Sequence, residues 1–356
     1  MRYEYKDVIP GLTSEKHVIA EFKRKMKEYI QCATVVPVTT GTHALEVALR
    51  GAGLKRGDQV IIPDLTFFAT ATAAANVGLV PVYADVSPEH YGLTAVSLRQ
   101  RYTDKVKAVI VVHLAGFVDR DLWDIKDFCA RHDLVLIEDC AQSFCCSVDG
   151  RRTGSIGDCG TFSFQSSKIV SAGEGGMVSV NSERMAAACE AVADWGMSPL
   201  YARRNVRLPS SNFRLSAVQC YVLLRQLEKI HDIYNGRMER CGQLQQACER
   251  SGLESALPPA AEGWIDCPFF FPVKASNKIN MLEPREEMPL HKSAMVPAIL
   301  ERFYPDLVTA YHRANPPEKL GRFESNTIIE TVDFINISQT ENLPAEEVIA
   351  AYGASR

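Results

Sequence analysis

The chain has 356 residues, of which 46% are hydrophobic and 23% are charged, and this length is typical of two domains that each bury a core. Its 39 Lys and Arg against 43 Asp and Glu give a net charge of −4 without a large block of one sign, which argues against a nucleic-acid-binding protein. No apolar run approaches the roughly 18 residues of a membrane helix, and residues 1–30 lack the apolar core of a signal peptide. We therefore expect a cytoplasmic, soluble protein with no membrane or nucleic-acid partner.

The 11 cysteines are scattered along the chain, and none of them forms a CxxC pair. Their number is odd, which does not suit a complete disulfide framework. The pattern predicts reduced, buried thiols in a reducing compartment and no metal site.

Apolar, β-branched runs alternate with helix-period stretches through the first two thirds of the chain. The predicted strands are 34–38, 59–62, 80–84, 108–113, 134–138, 160–164 and 177–180. The predicted helices between several of them are 42–50, 69–76, 119–131 and 182–195. Short apolar strands separated by helices are typical of a mostly parallel sheet covered on both faces, so we expect an α/β core.

The pattern changes after Leu215, where helices are predicted over 216–227 and 230–249, followed by an apolar run over 268–273. We expect a large domain over residues 1–232 and a smaller α+β domain over residues 233–356.

Polar residues that follow the predicted strands are the first candidates for a site, because open α/β sheets bind ligands at the carboxyl ends of their strands. Thr42 and His43 lie in the run TTGTH, between the first strand and its helix. Backbone N–H groups and Thr hydroxyls at a helix start can hold a phosphate. The same residues also serve as ordinary helix caps.

Asp139 ends a buried apolar strand, where its carboxylate needs a partner such as a cationic ligand nitrogen. The alternative is an aspartate that caps the following turn. Lys168 lies 29 positions later in a loop of small polar residues. A lysine held in a cleft can supply a neutral amine for a Schiff base, whereas a solvated surface lysine cannot.

Phe67 and Phe68 lie at a junction between a strand and a helix. Strand-like alternation predicts that one ring stacks on a planar ligand and that the other enters the core. Packing of both rings in the core is the alternative.

Six segments agree with one protein family in order and spacing. They read GTHALEVALRGAGLKRGDQVIIPDLTFFATATAAANVGLVPVYADV, VHLAGF, IEDCAQSF, GSIGDCGTFSF, SSKIVSAGEGG and SNFRLSAVQCYVL. Over roughly residues 14–230 the chain resembles the DegT/StrS family of aminotransferases, which use pyridoxal 5′-phosphate (PLP) and act mainly on nucleotide-linked keto-sugars and cyclitols. The resemblance implies the aspartate-aminotransferase fold (PLP fold type I): a large α/β/α domain with a mixed, mostly parallel sheet, and a smaller α+β C-terminal domain.

The resemblance also implies roles for single residues. Lys168 would form a Schiff base with PLP, and Asp139 would pair with the pyridinium nitrogen. Gln142 corresponds to a residue that contacts the ring hydroxyl, and Phe67 to an aromatic that stacks on the ring. The positions that match phosphate contacts are Thr42, His43 and Ser163.

Two further implications concern assembly and substrate. Asn212 matches an asparagine that reaches the phosphate of the neighbouring subunit, which implies a homodimer with shared active sites. Glu174 in GEGG and His291 in PLHKSAMVPAI are candidate substrate contacts.

The implied reaction moves an amino group from an amino acid, glutamate by family habit, to a keto-sugar through a ping-pong PMP form. A nucleotide-linked keto-sugar is the leading expectation. The C-terminal part departs from the family pattern, so a keto-cyclitol or another non-nucleotide acceptor stays open. A PLP-binding regulatory protein without turnover would not need Lys168 and Asp139 together. A nicotinamide-dependent oxidoreductase would need a dinucleotide fingerprint, which TTGTHA is not.

Overall fold

The computed structural model describes residues 9, 14–197, 208–274, 305–316, 332–337 and 343–354. The strands are β1 (Thr34–Val38), β2 (Gln59–Pro63), β3 (Val80–Ala84), β4 (Val106–Val112), β5 (Val135–Asp139), β6 (Ser147–Val148), β7 (Arg151–Arg152), β8 (Cys159–Ser163), β9 (Gly176–Val180), β10 (Trp264–Ile265), β11 (Phe270–Lys274) and β12 (Val332–Asn336). The helices are α1 (Glu15–Ile30), α2 (Gly41–Gly51), α3 (Ala69–Asn76), α4 (Ala95–Arg101), α5 (Leu122–Arg131), α6 (Glu183–Ala193), α7 (Ala217–Leu227), α8 (Ile230–Arg250), α9 (Pro305–Ala314) and α10 (Ala345–Ala354).

The main sheet has seven strands in the order β1-β9-β8-β5-β4-β2-β3. Neighbouring strands run parallel from β8 to β3, while β9 is antiparallel to both β1 and β8. Every residue of β2 and β3 is buried, so both faces of the sheet are covered there. The predicted α/β core and all seven predicted strands are confirmed, with shifts of one or two residues at their ends.

Local sequence signals set the starts of five helices. At each of these starts a Ser or Thr hydroxyl accepts a backbone N–H of the first turn, which satisfies a donor that the helix itself leaves without a partner. These N-caps are Ser14, Thr40, Thr94, Ser182 and Ser216.

Two predicted helix boundaries were wrong. The helix predicted from residue 119 begins at Leu122, because the buried Asp119 carboxylate accepts the Asp121 N–H at 3.0 Å and holds a turn there. The helix predicted to residue 195 ends at Ala193, and Trp195 has a φ of 57°, in the left-handed region that no helix continues through.

A second, smaller core lies beside the C-terminal half of α8. It contains Cys241, Leu244, Phe271, Ile337 and Ile349, while Ile230 at the start of α8 packs in the main core. The predicted division between residues 232 and 233 falls within α8 and stays a prediction.

All 11 cysteines are buried, as the sequence predicted, and all are free thiols. Among the residues that the structure describes, no helix is long and apolar enough to cross a membrane.

A short turn after β4 brings the C-terminal half of the chain to the end of the sheet. Ala115 accepts the Phe269 N–H at 2.7 Å, and Gly116 accepts the Cys267 N–H at 3.0 Å. A Cβ on Gly116 would lie 2.0 Å from the Cys267 carbonyl oxygen, so the backbones meet at this distance only because residue 116 is glycine. Phe269 is thereby placed next to residues that follow the parallel strands.

Candidate active site

A cavity of about 670 Å³ opens at the carboxyl ends of the parallel strands. This is the edge at which open α/β sheets bind ligands. Seven of the predicted site residues line it: Thr42, Phe67, Asp139, Gln142, Ser163, Lys168 and Glu174. Side chains that are distant in the sequence thus face one space.

Two further predicted site residues, His43 and Asn212, do not line the cavity. His43 bonds through Nδ1 to the Thr39 hydroxyl at 2.7 Å, and its ring packs on Phe213 with centroids 4.6 Å apart. Asn212 is exposed, and its Oδ1 accepts the Arg214 N–H at 3.2 Å. His291 lies outside the described residues.

Asp139 is the last residue of β5, and its carboxylate faces the cavity with only 6% of the residue exposed. Oδ2 accepts a hydrogen bond from the Thr70 hydroxyl at 2.9 Å, and Oδ1 accepts the Ala141 N–H at 3.2 Å. Burial raises the pKa of Asp139 above its ordinary value, although these hydrogen bonds and the charge of Lys168 act in the opposite direction. A cationic group in the cavity would therefore find a nearly dry carboxylate as its partner.

Lys168 occupies a turn after β8, where its N–H donates to the Gln165 carbonyl at 2.9 Å. Its Nζ lies 4.8 Å from the centroid of the Phe269 ring. Burial lowers the pKa of Lys168 to about 8, and the Asp139 carboxylate opposes that change. A substantial part of the amine is therefore neutral near pH 8, which is the form that attacks carbonyl carbons and accepts protons.

The start of α2 forms an electropositive part of the cavity wall. Thr40 caps the helix by accepting the His43 N–H at 3.1 Å, and the cavity is lined by Gly41 and Thr42. A Cβ on Gly41 would lie 2.7 Å from the Ser163 Cβ, so the glycine lets Ser163 approach the helix start. Two hydroxyls and a helix N-terminus in this arrangement suit a phosphate group.

Gln142 is held in one orientation by the turn after β4. Its Oε1 accepts the Ala115 N–H at 2.6 Å, and Ala115 has a φ of 57°. Because the oxygen is engaged there, the Nε2 amide is the part of the side chain that can donate to a ligand in the cavity.

Phe67 and Phe68 differ in their access to the cavity, as expected, but neither ring enters the core. Both rings are half-buried, and their centroids are 4.3 Å apart. Phe68 is the N-cap of α3 with a helical φ of −55° and ψ of −24°, so strand-like alternation does not apply at this position. Phe67 alone of the two lines the cavity.

Hydrogen bonds hold a buried polar cluster next to Asp139. Asp119 donates its N–H to His113 Nδ1 at 3.2 Å, so the proton of the neutral ring is on Nε2, which donates to Glu138 at 3.1 Å. The Cys140 Sγ, a ring nitrogen of His113 and a carboxylate oxygen of Glu138 lie within 4.8 Å of one another. Glu138 also accepts three backbone N–H groups, from Gly154, Ile156 and Gly157. Burial opposes ionisation of Glu138, but these bonds outweigh it and lower its pKa. The cluster thus anchors the loop before β8.

Three of the cavity-lining residues that the sequence did not identify lie next to Asp139, Phe67 or Lys168. Thr66 and Thr70 lie on either side of Phe67, and their spacing of four residues was the available signal. Phe269 belongs to the predicted apolar run 268–273, but nothing in that run indicates which ring reaches Lys168.

A model of the DegT/DnrJ/EryC1/StrS aminotransferase family matches residues 8–313 of the chain. The GDP-perosamine synthase of Caulobacter vibrioides is 33% identical over 252 residues, which are 70% of this chain and 67% of that protein. The L-glutamine:2-deoxy-scyllo-inosose aminotransferase of Streptomyces kanamyceticus is 41% identical over 155 residues, or 44% of this chain and 36% of that protein. The chain spans roughly one third to two thirds of the length of the curated relatives it matches.

Solved structures share this fold. The crystal structure of DesV from S. venezuelae superimposes with a TM-score of 0.75 at 26% identity, and the match covers 95% of this chain and 89% of that one. The expected fold is confirmed.

Proposed function

Because this chain belongs to the DegT/DnrJ/EryC1/StrS aminotransferase family, we propose that it is a PLP-dependent aminotransferase that moves an amino group from an amino acid to the ketone carbon of a sugar or cyclitol. One observation carries the proposal. The Lys168 amine, the Asp139 carboxylate and the start of α2 all face the same cavity.

The residues of the cavity fit each polar group of PLP. Asp139 suits the pyridinium nitrogen, because a buried carboxylate is stabilised by a cationic partner. Thr42 and Ser163, with the start of α2, suit the phosphate, and the Nε2 of Gln142 suits the ring hydroxyl. Phe67 offers an apolar ring to the face of the cofactor. When bound, PLP supplies an aldehyde carbon that condenses with amines and a ring that stabilises negative charge formed next to it.

The part of Lys168 in the reaction follows from its environment. Its Nζ is partly neutral near pH 8, so it can accept the α-proton of the amino donor and later return a proton to the product side. The apolar ring of Phe269 beside Nζ excludes water from one side of the amine. Hydrogen bonds from Thr70 and Ala141 keep the Asp139 carboxylate oriented toward the cavity while that proton moves.

Asn212 supports the proposal of a homodimer with shared active sites. It is exposed and lies outside the cavity of its own chain, and its backbone forms an isolated β-bridge with Asp194. In this proposal the Asn212 side chain reaches the phosphate bound by the partner subunit. The His43 ring packs on Phe213, the residue after Asn212, so in this proposal His43 affects phosphate binding through Phe213 and Asn212.

The acceptor is one of two classes, and each is favoured by a relative. The GDP-perosamine synthase of C. vibrioides favours a nucleotide-linked keto-sugar, which is the first candidate. The 2-deoxy-scyllo-inosose aminotransferase of S. kanamyceticus favours a keto-cyclitol. That enzyme is named for L-glutamine, so both glutamate and glutamine are candidate donors. Glu174, exposed at the rim of the cavity, is a candidate substrate contact, and His291 stays a prediction. We place the protein in the cytoplasm.

A half-reaction screen tests the proposal. The protein loaded with PLP is treated with glutamate or glutamine, and loss of the PLP absorbance reports the first half. Recovery of the absorbance is then followed with nucleotide-linked keto-sugars, keto-cyclitols and simple keto acids. We expect recovery with one of the first two classes.

Lys168→Ala is the control, and it should take up PLP without completing either half. Borohydride reduction and peptide mapping should locate the cofactor on the peptide that contains Lys168. Binding of PLP without reaction with any amino donor would indicate a regulatory protein instead, and failure to bind PLP would refute the proposal.

A further inference from the structure

We propose that Thr70 and Thr66 are positioning residues that hold the Asp139 carboxylate toward the cavity through a directed chain of hydrogen bonds. The inference rests on the proposed function, since it concerns the residue that would meet the ring nitrogen of PLP. Neither threonine needs to touch that nitrogen to act.

The direction of the chain follows from the chemistry of its members. An ionised carboxylate only accepts, so the Thr70 hydroxyl must donate its proton to Asp139 Oδ2, at 2.9 Å. The Thr70 oxygen lies 2.8 Å from the Thr66 oxygen and has no second proton to give. Thr66 must therefore donate to Thr70, and the dipoles of both hydroxyls point toward the carboxylate.

Burial makes this chain consequential. Thr66 is 3% exposed, Thr70 is 1% exposed and Asp139 is 6% exposed, so water cannot readily replace either hydroxyl. The second carboxylate oxygen is fixed separately by the Ala141 N–H at 3.2 Å. With one donor on each oxygen, the plane of the carboxyl group is set, and each remaining lone pair faces a defined direction. A hydrogen bond to a charged group is stronger where the surroundings are dry.

The segment that supplies the chain also supplies an aromatic wall of the cavity. Thr66 precedes Phe67, and Thr70 lies in the first turn of α3, so one strand-to-helix connection delivers all three side chains. The placement of Phe67 and the orientation of Asp139 are thereby coupled through the backbone. Thr72, on the same helix, bonds instead to the Ala69 carbonyl and does not line the cavity.

The test compares PLP binding by four variants of the full-length protein. Thr70→Val keeps the shape and removes the hydroxyl, and it should raise the dissociation constant for PLP by roughly tenfold. Thr66→Val should act in the same direction but less strongly. Thr70→Ser should stay close to the unchanged protein, because it keeps the donor. Thr72→Val is the matched control and should leave PLP binding unchanged.

A pH profile separates positioning from simple loss of packing. Without the Thr70 proton donor, Asp139 should become protonated at a higher pH, so the acid limb of PLP binding should move up by about one pH unit in Thr70→Val. Thr70→Ser should restore the original limb. A packing defect would weaken binding equally at every pH.

A double-mutant cycle with Asp139→Ala shows whether the threonine acts through the carboxylate. Once the carboxylate is absent, Thr70→Val should have no further effect on the dissociation constant for PLP. If Thr70→Val weakens binding equally with and without Asp139, the inference is overturned. It is also overturned if Asp139→Ala weakens PLP binding while Thr70→Val does not. If the unchanged protein binds no PLP, the proposed function fails, and the inference falls with it.

Discussion

Replacing Lys168 by Met should make the cofactor-free protein more stable at pH 7, and the gain should disappear at high pH. The amine lies against the Phe269 ring in a cavity wall, and burial there disfavours its charged form. Met has a similar length and no charge to desolvate. If Lys168→Met has a higher free energy of unfolding, the folded protein keeps the Lys168 amine in the site at a cost to its stability.

The magnitude follows from the pKa of Lys168, which lies at about 8 in the folded protein instead of the ordinary 10.5. Each pH unit corresponds to ~1.4 kcal/mol, so the buried ammonium costs at most about 3 kcal/mol. Partial exposure to the open cavity reduces that figure. Below pH 8 both the folded and the unfolded chain carry the proton, and the full cost is present. Between pH 8 and 10.5 the folded chain releases its proton first, so the stability of the unchanged protein rises toward that of Lys168→Met.

The assay is denaturant unfolding of both proteins without PLP, followed by circular dichroism at pH 7 and pH 10 and at one protein concentration. Lys25→Met, at an exposed position of α1, is the control and should change stability by less than about 0.5 kcal/mol at pH 7. A difference between Lys168→Met and the unchanged protein that is the same at both pH values would refute the reasoning. The stability would then reflect packing of the methionine and not desolvation of the amine.

Three further predictions concern the other parts of the site. Asp139→Asn should still bind PLP, but its half-reaction should be slower by roughly two orders of magnitude or more, because a neutral amide does not stabilise a protonated ring nitrogen and each ~1.4 kcal/mol of lost stabilisation slows the rate tenfold. Near-normal turnover would indicate that Asp139 only caps the end of its strand. Gly41→Ala should weaken PLP binding in equilibrium dialysis, since its Cβ would lie 2.7 Å from the Ser163 Cβ and push that residue from the helix start; unchanged affinity would place the phosphate elsewhere. Mixing inactive Lys168→Ala with inactive Asn212→Ala should restore partial activity after subunit exchange, because one composite site is then intact, and absence of recovery would contradict the shared site.

The sequence predicted the sheet well because its strands are short apolar runs bounded by turn residues. In β2 and β3 every residue is buried, and such strands cannot be confused with half-exposed ones. The rule that ligands meet the carboxyl ends of strands then selected Asp139 and Lys168 as candidate site residues. The family resemblance added what spacing alone could not, namely the role proposed for each residue.

The remaining misses have local physical causes. Asp119 is a residue type that often begins a helix. In the folded protein its carboxylate is buried and accepts the Asp121 N–H, and the sequence alone does not show this hydrogen bond. Phe68 lies in a segment too short to show whether its period is that of a strand or a helix. The phosphate contact of His43 stays a prediction, and the structure shows its side chain held by Thr39 and Phe213. In each case a hydrogen bond or a ring contact decided the orientation.

The contact between Phe269 and Lys168 shows how the C-terminal half of the chain takes part in the site. The Phe269 N–H donates to the Ala115 carbonyl, and the Arg237 guanidinium donates to the Pro268 and Phe269 carbonyls. All of these bonds involve backbone atoms of the segment, so they hold it in place whatever side chain stands at residue 269. Replacing the Phe269 side chain should therefore leave the backbone of this segment in place. The large sheet fixes Asp139 and Lys168, while the C-terminal half supplies the aromatic ring that covers one side of the amine.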